Sequence, residues 1–245
     1  MKLTIDKNAI VNKFLSPISR ITEECSIHIT PENLYALVND LSGNIILYTE
    51  LTTKTNLTDN FVLNVKDVRK LSRVFECVQH AVLELEVDDN ASVMKYKTPE
   101  LSFKLHLVNE NVIRKCQLSL EKLNKMSHDT TFELKGEQLN EILKGSMFAT
   151  ETNKIYFFTK DDTVYAELTD KATQDIDSVT FIVTSEIEGE MIATPLPFSL
   201  EVLRLLSGQK PDSITVKINN TYKLIEFLIT TDVSKTRYII PAFVK

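Results

Sequence analysis

Phe61-Val62-Leu63-Asn64-Val65-Lys66-Asp67-Val68-Arg69-Lys70-Leu71-Ser72-Arg73-Val74-Phe75 changes periodicity without a spacer. Phe61, Leu63 and Val65 alternate with period two, which reads as a strand. Val68, Leu71, Val74 and Phe75 then fall on one stripe at helical spacing, which predicts a helix over 66–75. Lys66, Arg69, Lys70 and Arg73 take the opposite face, with Asp67 the one acid among them. The same strand-into-helix junction recurs at 3–20, 132–148 and 192–206, each followed by mostly alternating sequence. Four copies, paired in two halves of similar length, point to a modular, pseudo-symmetric architecture.

Around the first junction, Leu3 and Ile5 alternate with polar residues and Asp6 is suited to cap the helix that follows. That helix carries Ile10, Phe14 and Ile18 inward, with Lys13 and Arg20 outward, and Pro17 is expected to bend or shorten its last turn. Strands are predicted over 26–29, 33–38 and 45–51, then over 82–87, 93–98 and 101–108. In the second half, Phe132 and Leu134 lead to a helix over 136–147 that turns Lys144, Glu137 and Glu141 outward. A strand over 192–196 leads to a helix over 198–206 with Arg204 among leucines and Lys210 beyond its end. Between the halves, 109–128 fits neither period, although a short helix over 118–126 is compatible with it. A connection longer than about 12–15 residues is uncommon in a compact protein. The expected division is therefore 1–108, a connector 109–128, and 129–245.

The composition excludes several classes. A hydrophobic fraction of 43% and a charged fraction of 25% are ordinary for a globular chain. No apolar stretch reaches membrane-spanning length, and Met1 to Asp6 lack the apolar core of a secretory leader. Cys25, Cys77 and Cys116 are odd in number and widely spaced, which reads as free thiols in a reducing, intracellular compartment: host cytoplasm if viral, nucleus if eukaryotic. Buried, inert thiols are the expectation for all three. The five glycines (43, 136, 145, 189, 208) form no phosphate-cradling loop. The histidines (28, 80, 106, 128) have no neighbour at metal-ligand spacing, and the carboxylates form solvated runs. No catalytic residue, metal or cofactor is expected. A net charge of −6 disfavours a nucleic-acid binder when taken as a sum. The basic face of 66–75 reads either as a solvated helix exterior or as a surface for a repeating polyanion.

Four segments carry a resemblance. They are Phe132-Glu133-Leu134-Lys135-Gly136-Glu137-Gln138-Leu139, the turn Asp88-Asp89-Asn90-Ala91, Phe198-Ser199-Leu200-Glu201-Val202-Leu203, and the ending Tyr238-Ile239-Ile240-Pro241-Ala242. In order and spacing, over essentially the whole chain, the sequence resembles two-domain sliding DNA clamps of the proliferating-cell-nuclear-antigen type and their tailed-phage relatives. The resemblance implies an α+β fold of two similar domains, each of two β-α-β-β-β units, with helices lining a ring and sheets outside. It implies a homotrimer around duplex DNA, no enzymatic activity, and a replicative polymerase and clamp loader as partners, with no membrane role. An acidic exterior would account for the net charge. The DNA-facing residues it implies are Lys13, Arg20, Lys66, Arg69, Lys70, Arg73, Lys144, Arg204 and Lys210. A client-peptide pocket is implied at Val38, Ile45 and Leu47, at Leu118, Leu120 and Leu123 of the connector, and at Tyr238, Ile240 and Pro241. A rival reading is a polymerase accessory or viral structural protein built on the same unit without encircling DNA. The Lys/Asn-rich, Gly-poor composition inclines the reading toward a virus.

Overall fold

The computed structural model describes residues 2–53, 55, 60–192 and 194–243. The chain divides into two compact units. Unit 1 is Met1–Leu120 with Thr230–Thr236, and unit 2 is Glu121–Ile229 with Arg237–Lys245. The division falls inside the connector, between Leu120 and Glu121.

Unit 1 opens with β1 (Lys2–Asp6), whose apolar residues alternate inward. The Asp6 carboxylate accepts the Ala9 N–H at 2.7 Å and so starts the helix. The helix is wound in two ways: Ala9–Leu15 is a π-helix, and α1 (Ser16–Ile21) follows it. The expected bend at Pro17 in the last turn is therefore corrected. Pro17 lies in the first turn of α1, where its missing N–H costs little. Just before it, the Ser16 N–H reaches back to the Val11 carbonyl, five residues away. Next come β2 (Cys25–Ile29), β3 (Asn33–Asn39), β4 (Ile46–Thr52), β5 (Phe61–Val65) and α2 (Val68–Glu76). Asp67 caps α2 by accepting the Lys70 N–H at 2.7 Å, while Val68, Leu71 and Phe75 are buried. The unit ends with β6 (Val82–Val87), β7 (Val93–Lys97) and β8 (Ser102–His106). The strands form two antiparallel arrays, ordered β1-β6-β7-β8 and β4-β3-β2-β5. The connector holds a 3-10 turn at Glu110–Val112 and a short helix, α3 (Leu120–Asn124).

Unit 2 repeats the plan: β9 (Thr130–Lys135), α4 (Gly136–Gly145), β10 (Lys154–Lys160), β11 (Thr163–Leu168) and β12 (Val179–Thr184). Then follow β13 (Ile187–Gly189), β14 (Leu196–Ser199), α5 (Glu201–Ser207), β15 (Ser213–Asn219), β16 (Leu224–Thr230) and β17 (Ser234–Pro241). Their orders are β12-β11-β10-β14 and β13-β9-β15-β16-β17. Phe157 centres the core, 5.5 Å from the Phe132 ring and 6.4 Å from Phe227. Gly136 begins α4 tightly: a Cβ there would lie 2.1 Å from the Pro211 carbonyl oxygen. The strand predicted over 192–196 lies further on, at β14. Phe198 and Leu200 continue the buried alternation past Leu196, and Phe198 pairs with Ile155. The three-residue β13 carries no alternation long enough to read.

Candidate nucleic-acid interface

In unit 1 the π-segment, α1 and α2 bury their apolar stripes and leave the opposite faces in solvent. All six predicted bases there, Lys13, Arg20, Lys66, Arg69, Lys70 and Arg73, are exposed. The two helices are tied together by Arg69 Nε, which donates to the Ser19 carbonyl oxygen at 3.2 Å. Lys66 forms an ion pair with Glu24. Its hydrogen bond holds the Glu24 carboxyl below the usual range despite partial burial, with help from the Arg114 N–H. That N–H donates to Glu24 Oε1 at 3.0 Å, and Arg114 Nη1 donates to the Leu41 carbonyl at 3.4 Å. Arg114 thus fastens the connector's first part to unit 1. Among the described residues, Lys13, Lys70 and Arg73 have no ion-pair partner.

Unit 2 is different. Lys144, Arg204 and Lys210 are exposed as expected, but Glu137 and Glu141 share the outer face of α4 with Lys144. Arg204 lies 3.5 Å from Glu201 one turn earlier. Positive charge therefore concentrates on the helices of unit 1. One sheet face of unit 1 carries both signs of charge. Lys95 pairs in register with Glu86 on one side and Lys104 on the other, and all three are exposed.

The residues of the implied client pocket divide by burial. In unit 1, Val38 and Leu47 are buried, while Ile45, Leu118 and Leu120 are half-buried. In unit 2, Leu123, Tyr238 and Ile240 are buried and Pro241 is exposed. Tyr238 is packed in the core of unit 2, and its hydroxyl accepts a hydrogen bond from Gln209. Leu41, between β3 and β4, is 86% exposed and is an apolar residue of this region that no periodicity marks. The thiols also differ from expectation: Cys25 is buried, which pushes it up to about 12, but Cys77 is exposed and Cys116 intermediate. Both flank segments that carry solvent-facing polar residues, so no apolar pattern protects them.

Among the described residues, no group of three His, Cys, Asp or Glu side chains could hold a metal ion. Among the same residues, no helix is long and apolar enough to cross a membrane.

The architecture matches a solved structure described as the C-terminal region of FEN-1 bound to A. fulgidus PCNA. That chain is 17% identical, the match spans 100% of this chain and 98% of that one, and the TM-score is 0.78. The chain therefore has the α+β sliding-clamp fold. No family model and no curated protein matches the sequence.

Proposed function

We propose that this protein is a DNA sliding clamp. Three copies form a ring that encircles duplex DNA without sequence preference and tethers a replicative polymerase and other replication proteins, without catalysing a reaction. The observation that carries the reading is the segregation of charge within the clamp fold: a chain of net charge −6 puts six exposed bases on the helical face of unit 1. A sliding ring must contact phosphates and avoid base readout. Flexible lysines and arginines supply a weak, salt-sensitive attraction that suits this.

Ring closure requires a head-to-tail contact between different surfaces. Among the edge strands, β8 ends one array of unit 1 and β12 one array of unit 2, and these two are the pair we assign to it. On β12, Ile182 is 67% exposed and neighbours Phe181, whose ring lies over Gly145. Pairing β8 of one copy with β12 of the next would satisfy both edges and cover Ile182.

The test combines mass and topology. Sedimentation equilibrium at tens of micromolar should give three times the chain mass, and loaded protein should stay on nicked circular DNA and leave after linearisation. A monomer that binds circles and linear DNA equally would favour the rival, a non-encircling accessory protein. The mixed charge of the unit 2 helices is the one observation on that side.

A further inference from the structure

Unit 2 contains a buried ion pair that its strands do not need. Glu226 lies in β16 between Ile225 and Phe227 and is 1% exposed; Arg237, in β17, is 8% exposed. The guanidinium grips the carboxylate with both edges: Nε donates to Oε1 at 2.8 Å and Nη2 to Oε2 at 2.8 Å. His128 Nε2 lies 3.2 Å from the same Oε2, yet it is buried without a properly formed hydrogen bond. The strands are already joined by backbone hydrogen bonds. Replacing a buried ion pair with well-packed apolar residues is often neutral or stabilising. Stability alone therefore does not account for Glu226 and Arg237.

The rest of the guanidinium points elsewhere. Nη2 also donates to the Leu123 carbonyl at 3.4 Å, and Nη1 donates to Asn124 Oδ1 at 3.4 Å. These two acceptors are the end of α3. A carbonyl in the last turn of a helix has no partner within the helix; that of Leu123 accepts the Met126 N–H at 3.4 Å as well as the guanidinium, and a cation there also meets the negative end of the peptide dipoles. Leu123 is fully buried, which holds the same turn from its apolar side. Beyond it the chain is pinned again. Asn219 Nδ2 donates to the Ser127 carbonyl at 2.7 Å, and the Asp129 N–H donates to the Ile218 carbonyl at 2.8 Å.

We propose that Arg237 is a positioning residue for the connector: held by Glu226, it fixes the end of α3 and sets the path of residues 121–129. Glu226 aims the fork, and two of the three remaining N–H groups do the positioning. A lysine could not do both, because it lacks the rigid planar fork. The consequence for clients rests on the clamp reading. A peptide with apolar anchors that docks along the connector would find its end already ordered and avoid that ordering cost on binding.

Hydrogen–deuterium exchange of the whole protein tests the positioning without DNA, client or trimer, so it can fail while the clamp reading stands. Arg237→Lys keeps a charge beside Glu226 but removes the fork. Amides of 121–129 should exchange about tenfold faster or more, as loss of hydrogen bonds from a charged donor implies, while β16 amides keep wild-type protection. The double variant Glu226→Leu with Arg237→Met should restore thermal stability toward wild type and still show fast exchange at 121–129. Asn124→Ala, a change at the surface, should raise exchange in the same segment by a smaller factor. Wild-type exchange at 121–129 in both Arg237→Lys and the double variant would overturn the proposal, since packing of Leu123 would then suffice. Equal loss of protection in 121–129 and β16 in Arg237→Lys would overturn it too, because the pair would then be a general prop of unit 2.

Discussion

Glu226→Gln offers a measurement whose size follows from the buried cluster in unit 2. Burial alone would raise the Glu226 carboxyl. The two hydrogen bonds and the charge of Arg237, with His128 Nε2 3.2 Å away, outweigh it and bring the group from 4.5 down to about 2. A carboxyl depressed in the folded state contributes stability above the unfolded value of 4.5, and that contribution drains away as pH falls toward 2. At about 1.4 kcal/mol per unit, the difference is worth about 3 kcal/mol at neutral pH and under about 1 kcal/mol at pH ~2.5. The glutamine keeps the shape of the side chain but leaves Arg237 buried beside a neutral amide, a loss of about 3–5 kcal/mol. The chain has no tryptophan, so urea unfolding is best followed by far-ultraviolet circular dichroism at several pH values. The gap between wild type and Glu226→Gln should be widest near pH 7 and should shrink severalfold by pH ~2.5. A gap of constant size across that window would refute the reasoning, because the cost of the glutamine would then lie in packing rather than in the charge of Glu226.

Reversing Lys66, Lys70 and Arg73 to glutamate should weaken retention on circular DNA and flatten its salt dependence, with each exposed change costing within about ±0.5 kcal/mol of stability; unchanged retention would remove α2 from the DNA face. Gly136→Ala should lower stability by about 1–3 kcal/mol, because the new Cβ would lie 2.1 Å from a backbone oxygen. A melting temperature equal to wild type would show that the loop after α5 yields freely. Leu120→Ala should weaken binding of a polymerase C-terminal peptide by about tenfold, or ~1.4 kcal/mol, with calorimetry as the readout and wild-type affinity as the contrary result. Tyr238→Ala is a poor companion to it, since emptying a fully buried aromatic site should cost about 3–5 kcal/mol of stability.

The fold was legible where one period ran long enough. The alternation in 61–65 and the stripe Val68-Leu71-Phe75 appear in the structure as β5 and the buried face of α2. Asp6 could be read as a helix start because a cap acts on neighbours within three residues, whereas Asp67, expected within the helix, proved to be the cap of α2. What escaped depends on distant partners. Glu24 lies 42 residues from Lys66, and no local pattern announces that pair. The burial of Tyr238 is equally invisible, because an aromatic residue in a C-terminal strand reads the same whether it faces a groove or a core. For Glu226 a signal did exist, a charge inside the otherwise apolar strand Leu224-Ile225-Glu226-Phe227-Leu228, whereas Arg237 follows Ser234-Lys235-Thr236 and reads as the end of a polar run. Charged residues are almost never fully buried unless paired, so Glu226 announced a partner without saying which residue it was.

The π-wound segment Ala9–Leu15 carries a consequence for azimuth. A turn closed over five residues instead of four takes up one residue more, so every side chain beyond it is rotated against the phase of an ordinary helix. Each residue of an α-helix advances about 100° around the axis. Lys13 and Arg20, on either side of the junction at Leu15 and Ser16, therefore point outward in directions that a regular helix of the same sequence would not give them. Regularising the winding at unchanged length would swing Lys13 out of step with Arg20 by about that angle. The winding of one short helix thus acts as a phase setting between two cations, and straightening it into an ordinary helix would alter the charge pattern without replacing a single charged residue.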